Sequence, residues 1–182
     1  MTQNAALIRK VRLEDLPQLH SLIQVVYRGA SAAESWSHDG EVPTGERISV
    51  DVLTSALDNP AFELLVAEMD GGLVGSALVE RIGETECKVG LLSVALDRQG
   101  NGLGDHLLRE AERVAMIRYG STTSTIEVLE HKPRLLAYYE RRGYRRTGAS
   151  RPYPHQLQRP ARFLVLSKLL GRRSSPAKFP GA

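Results

Sequence analysis

Between Arg98 and Asp105 the chain reads RQGNGLGD, with glycines at positions 100, 102 and 104. The run LLSVAL before it is short and apolar. After it, Leu103, Leu107, Leu108, Ala111, Val114 and Ala115 recur at helical spacing, so the segment reads as strand, glycine turn, helix. Glycines at a helix start clear side chains from a place where backbone N–H groups lack partners, and such a place takes an anion. The turn is not a P-loop, because the lysine and the following hydroxyl residue are missing. It is not a Rossmann turn either, because Asp105 stands where the third glycine belongs. The pattern that fits is Q-x-x-G-x-G, carried by Gln99, Gly102 and Gly104.

Other chemistries find less support. The single cysteine, Cys87, leaves no disulfide framework and no zinc pattern. Without a histidine motif beside it, it reads as a small buried hydrophobe with a structural role and not as a nucleophile. His20, His38, His106 and His155 are scattered without ligand spacing, so no metal is expected.

The elements that must position the turn follow from periodicity. Residues 6–11 (ALIRKV) read as a first strand, and Leu16, Leu19, Leu22, Ile23 and Val26 trace one face of a helix ending at Gly29. The Ser-, Gly- and Pro-rich stretch over residues 30–47 reads as a loop containing Trp36, and a short helix capped by Ser49 follows and stops at Asn59 and Pro60. FELLVAEM and LVGSALVERI, separated by DGG, predict an antiparallel hairpin, and ECKVGLLSVAL a third consecutive strand. After the turn and its helix come a strand TSTIEVL, a helix PRLLAYYERRG with proline in its first turn, and a final strand ARFLVLSKLL. The order is βααβββαβαβ, an α/β fold with a mixed sheet and helices on its faces. One domain is expected over residues 6–170, followed by a basic tail over 171–182 read as disordered.

A three-strand meander, then Q-x-x-G-x-G at a helix start, then a strand and a helix ending in AYYERRGY, resembles the GNAT family of acetyl-CoA-dependent N-acetyltransferases, in its generic bacterial small-molecule branch. The resemblance covers roughly residues 7–170 and implies the GNAT fold, with a largely antiparallel sheet. It implies that acetyl-CoA is the co-substrate, its pyrophosphate held by the N–H groups of Gly100, Asn101, Gly102, Leu103 and Gly104, with Arg98 and Gln99 adding side-chain contacts. The edge at Leu92, Ser93 and Val94 would pair with the pantetheine arm, and a splay between this strand and TIEVL would admit it. The implied reaction is direct attack of an amine on the thioester through a tetrahedral intermediate. A backbone N–H near Val94 is the expected oxyanion donor and Tyr139 the general acid, with Tyr138 beside it as a packing residue.

This sequence also departs from the family pattern. Lys132 stands where many members carry an asparagine that binds the pantetheine arm, and Lys88 stands where many relatives carry a catalytic glutamate. Glu86, two residues before Lys88 and on the same side of the strand, and Glu80 are the candidates for the base, with Glu127 and the pair Glu130 and His131 as competitors. Trp36 either walls the acceptor pocket or anchors its loop.

Composition bounds the alternatives. At 42% hydrophobic and 25% charged the chain is ordinary for a globular domain. The absence of a signal-like or bilayer-length apolar run leads to the expectation of a cytoplasmic enzyme with no membrane partner. The formal charge of +3 is concentrated late in the chain, but aromatic residues at 5% give a nucleic-acid reader little to stack with, so none is expected. The expected acceptor is a small-molecule amine, with a peptide or protein amine and a non-catalytic coenzyme-binding module as alternatives. A homodimer is expected from the resemblance.

Overall fold

A computed structural model describes residues 5–28, 46–153 and 161–171. The loop around Trp36 and His38, the segment holding His155, and residues 172–182 of the basic tail lie outside the described residues.

The element order begins β1 (Leu7–Lys10), α1 (Leu16–Arg28), α2 (Val50–Asp58), β2 (Phe62–Met69), β3 (Gly72–Arg81) and β4 (Glu86–Val94). It continues α3 (Leu103–Tyr119), β5 (Thr123–Leu129), α4 (Pro133–Glu140), β6 (Arg145–Pro152) and β7 (Arg162–Leu169). The seven strands form one sheet in the order β1-β2-β3-β4-β5-β7-β6, antiparallel throughout except where β4 meets β5.

Local chemistry accounts for most boundaries. The β2–β3 hairpin turns on Asp70 and Gly71, both at positive φ, the backbone that two-residue hairpin loops favour. The Ser49 side chain accepts from Val52 N and caps α2. At the far end of α3, Gly120 takes the left-handed conformation that closes a helix.

The expected series lacks one strand that the structure contains, β6. Its sequence, RRTGASRP, is almost wholly exposed and has no apolar alternation, it includes Gly148 at positive φ, and its register on β7 slips between Arg146 and Ser150. Such an edge strand is held by backbone pairing to β7 and gives no periodic signal in sequence.

The sheet buries both faces. On one side α1 and α2 pack Leu16, Leu19, Ile23 and Leu53 against Leu64, Val66 and Leu73. On the other, Leu107, Leu108, Ala111 and Ala115 of α3 pack with Ala67, Ala77, Val79, Ile126 and Val128. Gly75 permits this approach, since a Cβ there would stand 2.7 Å from Leu107 Cδ1. Beneath α3 runs a buried polar cluster. The Tyr144 hydroxyl lies 2.8 Å from Ser124 Oγ and donates to Glu112 Oε1 at 3.0 Å, and Lys168 Nζ donates to both Glu112 oxygens at 2.8 and 2.7 Å.

Two features position the site. The parallel β4–β5 ladder has only three pairs, Glu86 with Thr123, Cys87 with Ser124 and Lys88 with Thr125, after which the strands part. On the other side of β4, the register on β3 jumps from Ser76–Ser93 to Leu78–Gly90, a bulge in which Leu91 sits at φ 45°. A leucine in that conformation is strained, and the surroundings hold it. Ser76 Oγ donates to Leu91 O at 2.9 Å and lies 2.6 Å from Ser93 Oγ.

Candidate active site

The parting of β4 and β5 opens a cleft with a cavity on each side. The first, about 410 Å³, is lined by Leu92, Val94, Arg98, Gln99, Gly100, Gly102, Gly104 and Asp105, and by Leu135, Tyr138, Tyr139, Arg141 and Arg142 from α4 and its end. The second, about 310 Å³, lies against β3, β4 and β5 and includes Tyr27, Arg47, Glu80, Lys88, Glu127, Lys132 and Phe163. Leu92, Leu135 and Tyr139 line both, so they stand at the junction.

The glycine turn is built for close approach to a ligand. Gly100 and Gly102 both have φ 81°, and Gly102 is the N-cap of α3, whose first-turn N–H groups have no partner within the helix. A Cβ at Gly104 would lie 3.3 Å from the Tyr138 hydroxyl and 3.6 Å from Val94 Cγ2, so a side chain there would crowd the cavity wall. Three arginines, Arg98, Arg141 and Arg142, share this cavity with one carboxylate, Asp105. Arg142 Nε donates to Asp105 Oδ1 at 2.7 Å, and Arg109 pairs with its other oxygen at 3.1 Å, so that charge is already offset. The Arg142 guanidinium also lies 3.5 Å from the Tyr138 ring centroid, a cation–π contact. Helix-terminal N–H groups with three guanidinium groups form a site for a multiply charged anion.

The edge of β4 continues the cavity. Ala95 N donates to Val74 O at 2.8 Å, and the alternation of an antiparallel ladder therefore turns the N–H and C=O of Val94 away from β3 and into the cleft. Its carbonyl accepts from Gln99 Nε2 at 3.0 Å, and the Leu92 carbonyl accepts from the Tyr27 hydroxyl at 3.1 Å. With both carbonyls occupied, this edge offers an N–H donor at Val94.

Tyr139 at the junction is 7% exposed, and its ring meets Tyr138 and Tyr144 edge-on at 5.1 and 5.8 Å. Burial raises its phenol pKa well above the usual value, so it stays a proton donor. Among the described residues none hydrogen-bonds its hydroxyl, which leaves that group to the cavities.

The sequence-derived candidates are distributed unevenly. Leu92, Val94, Arg98, Gln99, Gly100, Gly102 and Gly104 line the first cavity. Ser93, Asn101 and Leu103 do not: Ser93 is buried against Ser76, and Leu103 faces the core. Glu80 lines the second cavity but is ion-paired at 2.5 Å to Lys88, its cross-strand partner. Glu86 shares the face of Lys88 yet sits at the closed end of the ladder, outside both cavities, with its carbonyl accepting from Ile82 and Gly83. Glu127 lines the second cavity in an ion pair with Arg151, whereas Glu130 and His131 line neither. Cys87 is buried with its thiol pKa raised by burial and its Sγ 2.9 Å from Ser121 Oγ, which fits a packed residue and not a nucleophile.

Sequence reasoning did not single out Arg141, Arg142, Tyr27 or Arg47, and it treated Tyr138 as packing only. The i, i+4 spacing of Tyr138 and Arg142 in AYYERRGY was the available signal. Among the described residues no cluster of His, Cys, Asp and Glu could hold a metal ion, and no helix is long and apolar enough to cross a membrane.

Comparison with solved structures gives the same architecture. The protein smu.2055 of Streptococcus mutans superposes with a TM-score of 0.73 at 19% identity, over 91% of this chain and 99% of that one. YncA of Salmonella typhimurium, solved with its cofactor acetyl-CoA, gives 0.68 at 17% identity over 96% and 99%. The ribosomal-protein-S18-alanine N-acetyltransferase of Escherichia coli gives 0.70 at 16% identity over 96% and 99%. No curated protein matches the chain. A family model described as the acetyltransferase (GNAT) domain matches residues 27–153, most of the chain. The chain belongs to the GNAT family of acetyltransferases.

Proposed function

We propose that the chain transfers an acetyl group from acetyl-CoA to the amine of a small molecule, in the cytosol. The carrying observation is the continuity of the two cavities at Tyr139: an anion site at the α3 N-terminus leads along the open edge of β4 to a second chamber with its own polar groups.

The residues fit the coenzyme. The N–H groups from Gly100 to Gly104, with Arg98, Arg141 and Arg142, would hold its phosphates, and the β4 edge at Leu92 and Val94 would take the amides of its arm. Acetyl-CoA bound there supplies an activated acetyl group on a thiol that must leave. The Val94 N–H, turned into the cleft, can stabilise negative charge on the acetyl oxygen. As the amine nitrogen bonds to the acetyl carbon and the carbon–sulfur bond breaks, Tyr139, kept protonated by burial, can give its proton to the departing sulfur. It regains one from the proton that the nitrogen sheds on becoming an amide. No covalent enzyme intermediate is needed, which agrees with the inert setting of Cys87.

Calorimetry with acetyl-CoA is the direct test. Wild-type protein should bind it, and Gly102→Glu, which sets a carboxylate at the anion site, should abolish binding while the folded signal by circular dichroism persists. Wild-type protein that binds no acetyl-CoA overturns the reading. Protein that binds it without releasing thiol to any amine is a coenzyme-binding module and not an enzyme.

A further inference from the structure

Gly90 on β4 lacks the reasons that account for other strand glycines. Gly75 admits Leu107 of α3, and Gly148 holds a positive φ. Gly90 has no positive φ, and the left-handed residue of the adjacent bulge is Leu91. A Cβ built on Gly90 would meet none of the described residues within 4 Å. Glycine inside a strand weakens it, and often marks a place where a ligand comes close. The open space here is the second cavity, which Gly90 lines.

Strand alternation fixes what else faces that space. Cys87 and Val89 of β4 enter the core under α3, so Gly90 faces the α1–α2 side. By the same rule Leu78, the cross-strand partner of Gly90, and Leu129 with its partner Phe163 turn to that side. Ile48 and Leu91 complete an apolar bed around the glycine. The two described carboxylates of the chamber are engaged, Glu80 with Lys88 at 2.5 Å and Glu127 with Arg151.

We propose that the acceptor is a primary amine with one apolar body, aryl or branched alkyl, lying over Gly90, and that the missing side chain at Gly90 sets the bulk accepted. This rests on the acetyltransferase reading above.

Leu92 and Tyr139 stand at the junction of the cavities, and Gly90 lies two residues before Leu92, roughly 6–7 Å along the strand. An amine nitrogen at the junction therefore leaves the carbon body of its molecule over the glycine. At about 310 Å³ the chamber is at the small end of ligand cavities, a size for one compact molecule. Apolar carbon laid on Leu78, Leu129 and Phe163 supplies affinity by leaving water. A second ammonium, as in a polyamine, would enter a chamber whose described carboxylates already hold cations, and a charge desolvated without a partner is costly.

The test measures kcat/KM by thiol release from acetyl-CoA with phenethylamine, isoamylamine, ethylamine, ethanolamine and spermidine. The wild-type protein should use phenethylamine or isoamylamine at least about tenfold better than each of the other three. Gly90→Val places a branched side chain in the open space, on a strand that favours such residues. It should cut the ratio of the preferred amine to ethylamine at least about tenfold, mainly through KM, with Gly90→Ala between. The melting temperature should hold or rise, and the calorimetric affinity for acetyl-CoA should not change. Because the ratio is taken within one preparation, partial misfolding of a variant does not affect it. A smaller wild-type preference, an unchanged ratio in Gly90→Val, a lowered melting temperature with equal slowing of every amine, or acetyl-CoA binding without turnover of any of the five overturns the proposal. Absence of acetyl-CoA binding instead overturns the underlying reading.

Discussion

The Tyr27 hydroxyl, in the last turn of α1, donates to the carbonyl of Leu92 on β4 at 3.1 Å. One hydrogen bond thus ties a helix of the first layer to the edge of β4 where the two cavities meet. Arg47 lies over the same tyrosine ring at 5.1 Å. Tyr27→Phe keeps the ring and removes the tie, at a stability cost of about 1 kcal/mol. If acetyl-CoA binds as proposed, its KM should rise about threefold to tenfold, since the freed carbonyl alters the edge offered to the arm. Steady-state kinetics against a thermal melt would separate the two effects.

Tyr139 gives a sharper kinetic expectation. Tyr139→Phe should lower kcat by about ten- to a hundredfold, the scale of one positioned proton donor, with acetyl-CoA binding unchanged by calorimetry. Because burial raises its pKa, no loss of rate between pH 6 and 9 should come from this group.

The same burial bears on stability at alkaline pH. Tyr138, Tyr139 and Tyr144 all have raised pKa values in the folded protein, chiefly from burial. In the unfolded chain each titrates near pH 10. Below that pH both states hold their protons and the groups make no difference. Above it the unfolded state loses protons that the folded state keeps, so stability must fall as pH rises past about 10. Urea midpoints measured from pH 8 to 11 should decline steeply only in the last unit, and less so in Tyr144→Phe.

The buried cluster under α3 ranks its own variants. Lys168→Met leaves the Glu112 carboxylate, 7% exposed, with the Tyr144 hydroxyl as its remaining described donor. Removing one partner of a buried pair costs several kcal/mol, and Lys168 is a quarter exposed, so about 2 kcal/mol is expected. Tyr144→Phe removes a neutral donor and should cost about 1 kcal/mol. A melt in which the tyrosine variant is the weaker of the two would contradict this order.

How much could be read from sequence differs from residue to residue. The DGG hairpin, the Ser49 cap and the glycine turn were legible because each is a local bargain between a residue type and a backbone shape. Tyr139 and the Gln99 turn were legible through family resemblance, although Gln99 spends its amide on Val94. β6 escaped because an exposed edge strand needs no apolar alternation. Arg142 escaped because its partners, Asp105 on α3 and the Tyr138 ring, are brought to it only by the fold. Lys88 and Lys132 were noticed as departures from a pattern. Only the packing of β3, β4, β5 and the start of α4 brings both to one chamber.

The three-pair ladder between β4 and β5 has a further consequence. A sheet that stops pairing in its middle carries an interior edge, and open edges are where chains misassociate. Whatever lies along Leu92 to Val94 therefore shields the sheet as well as binding to it. A ligand at a hundred times its dissociation constant adds about 2.7 kcal/mol to folding stability. Metabolic supply of that ligand would then govern how long each molecule persists as well as how fast it works.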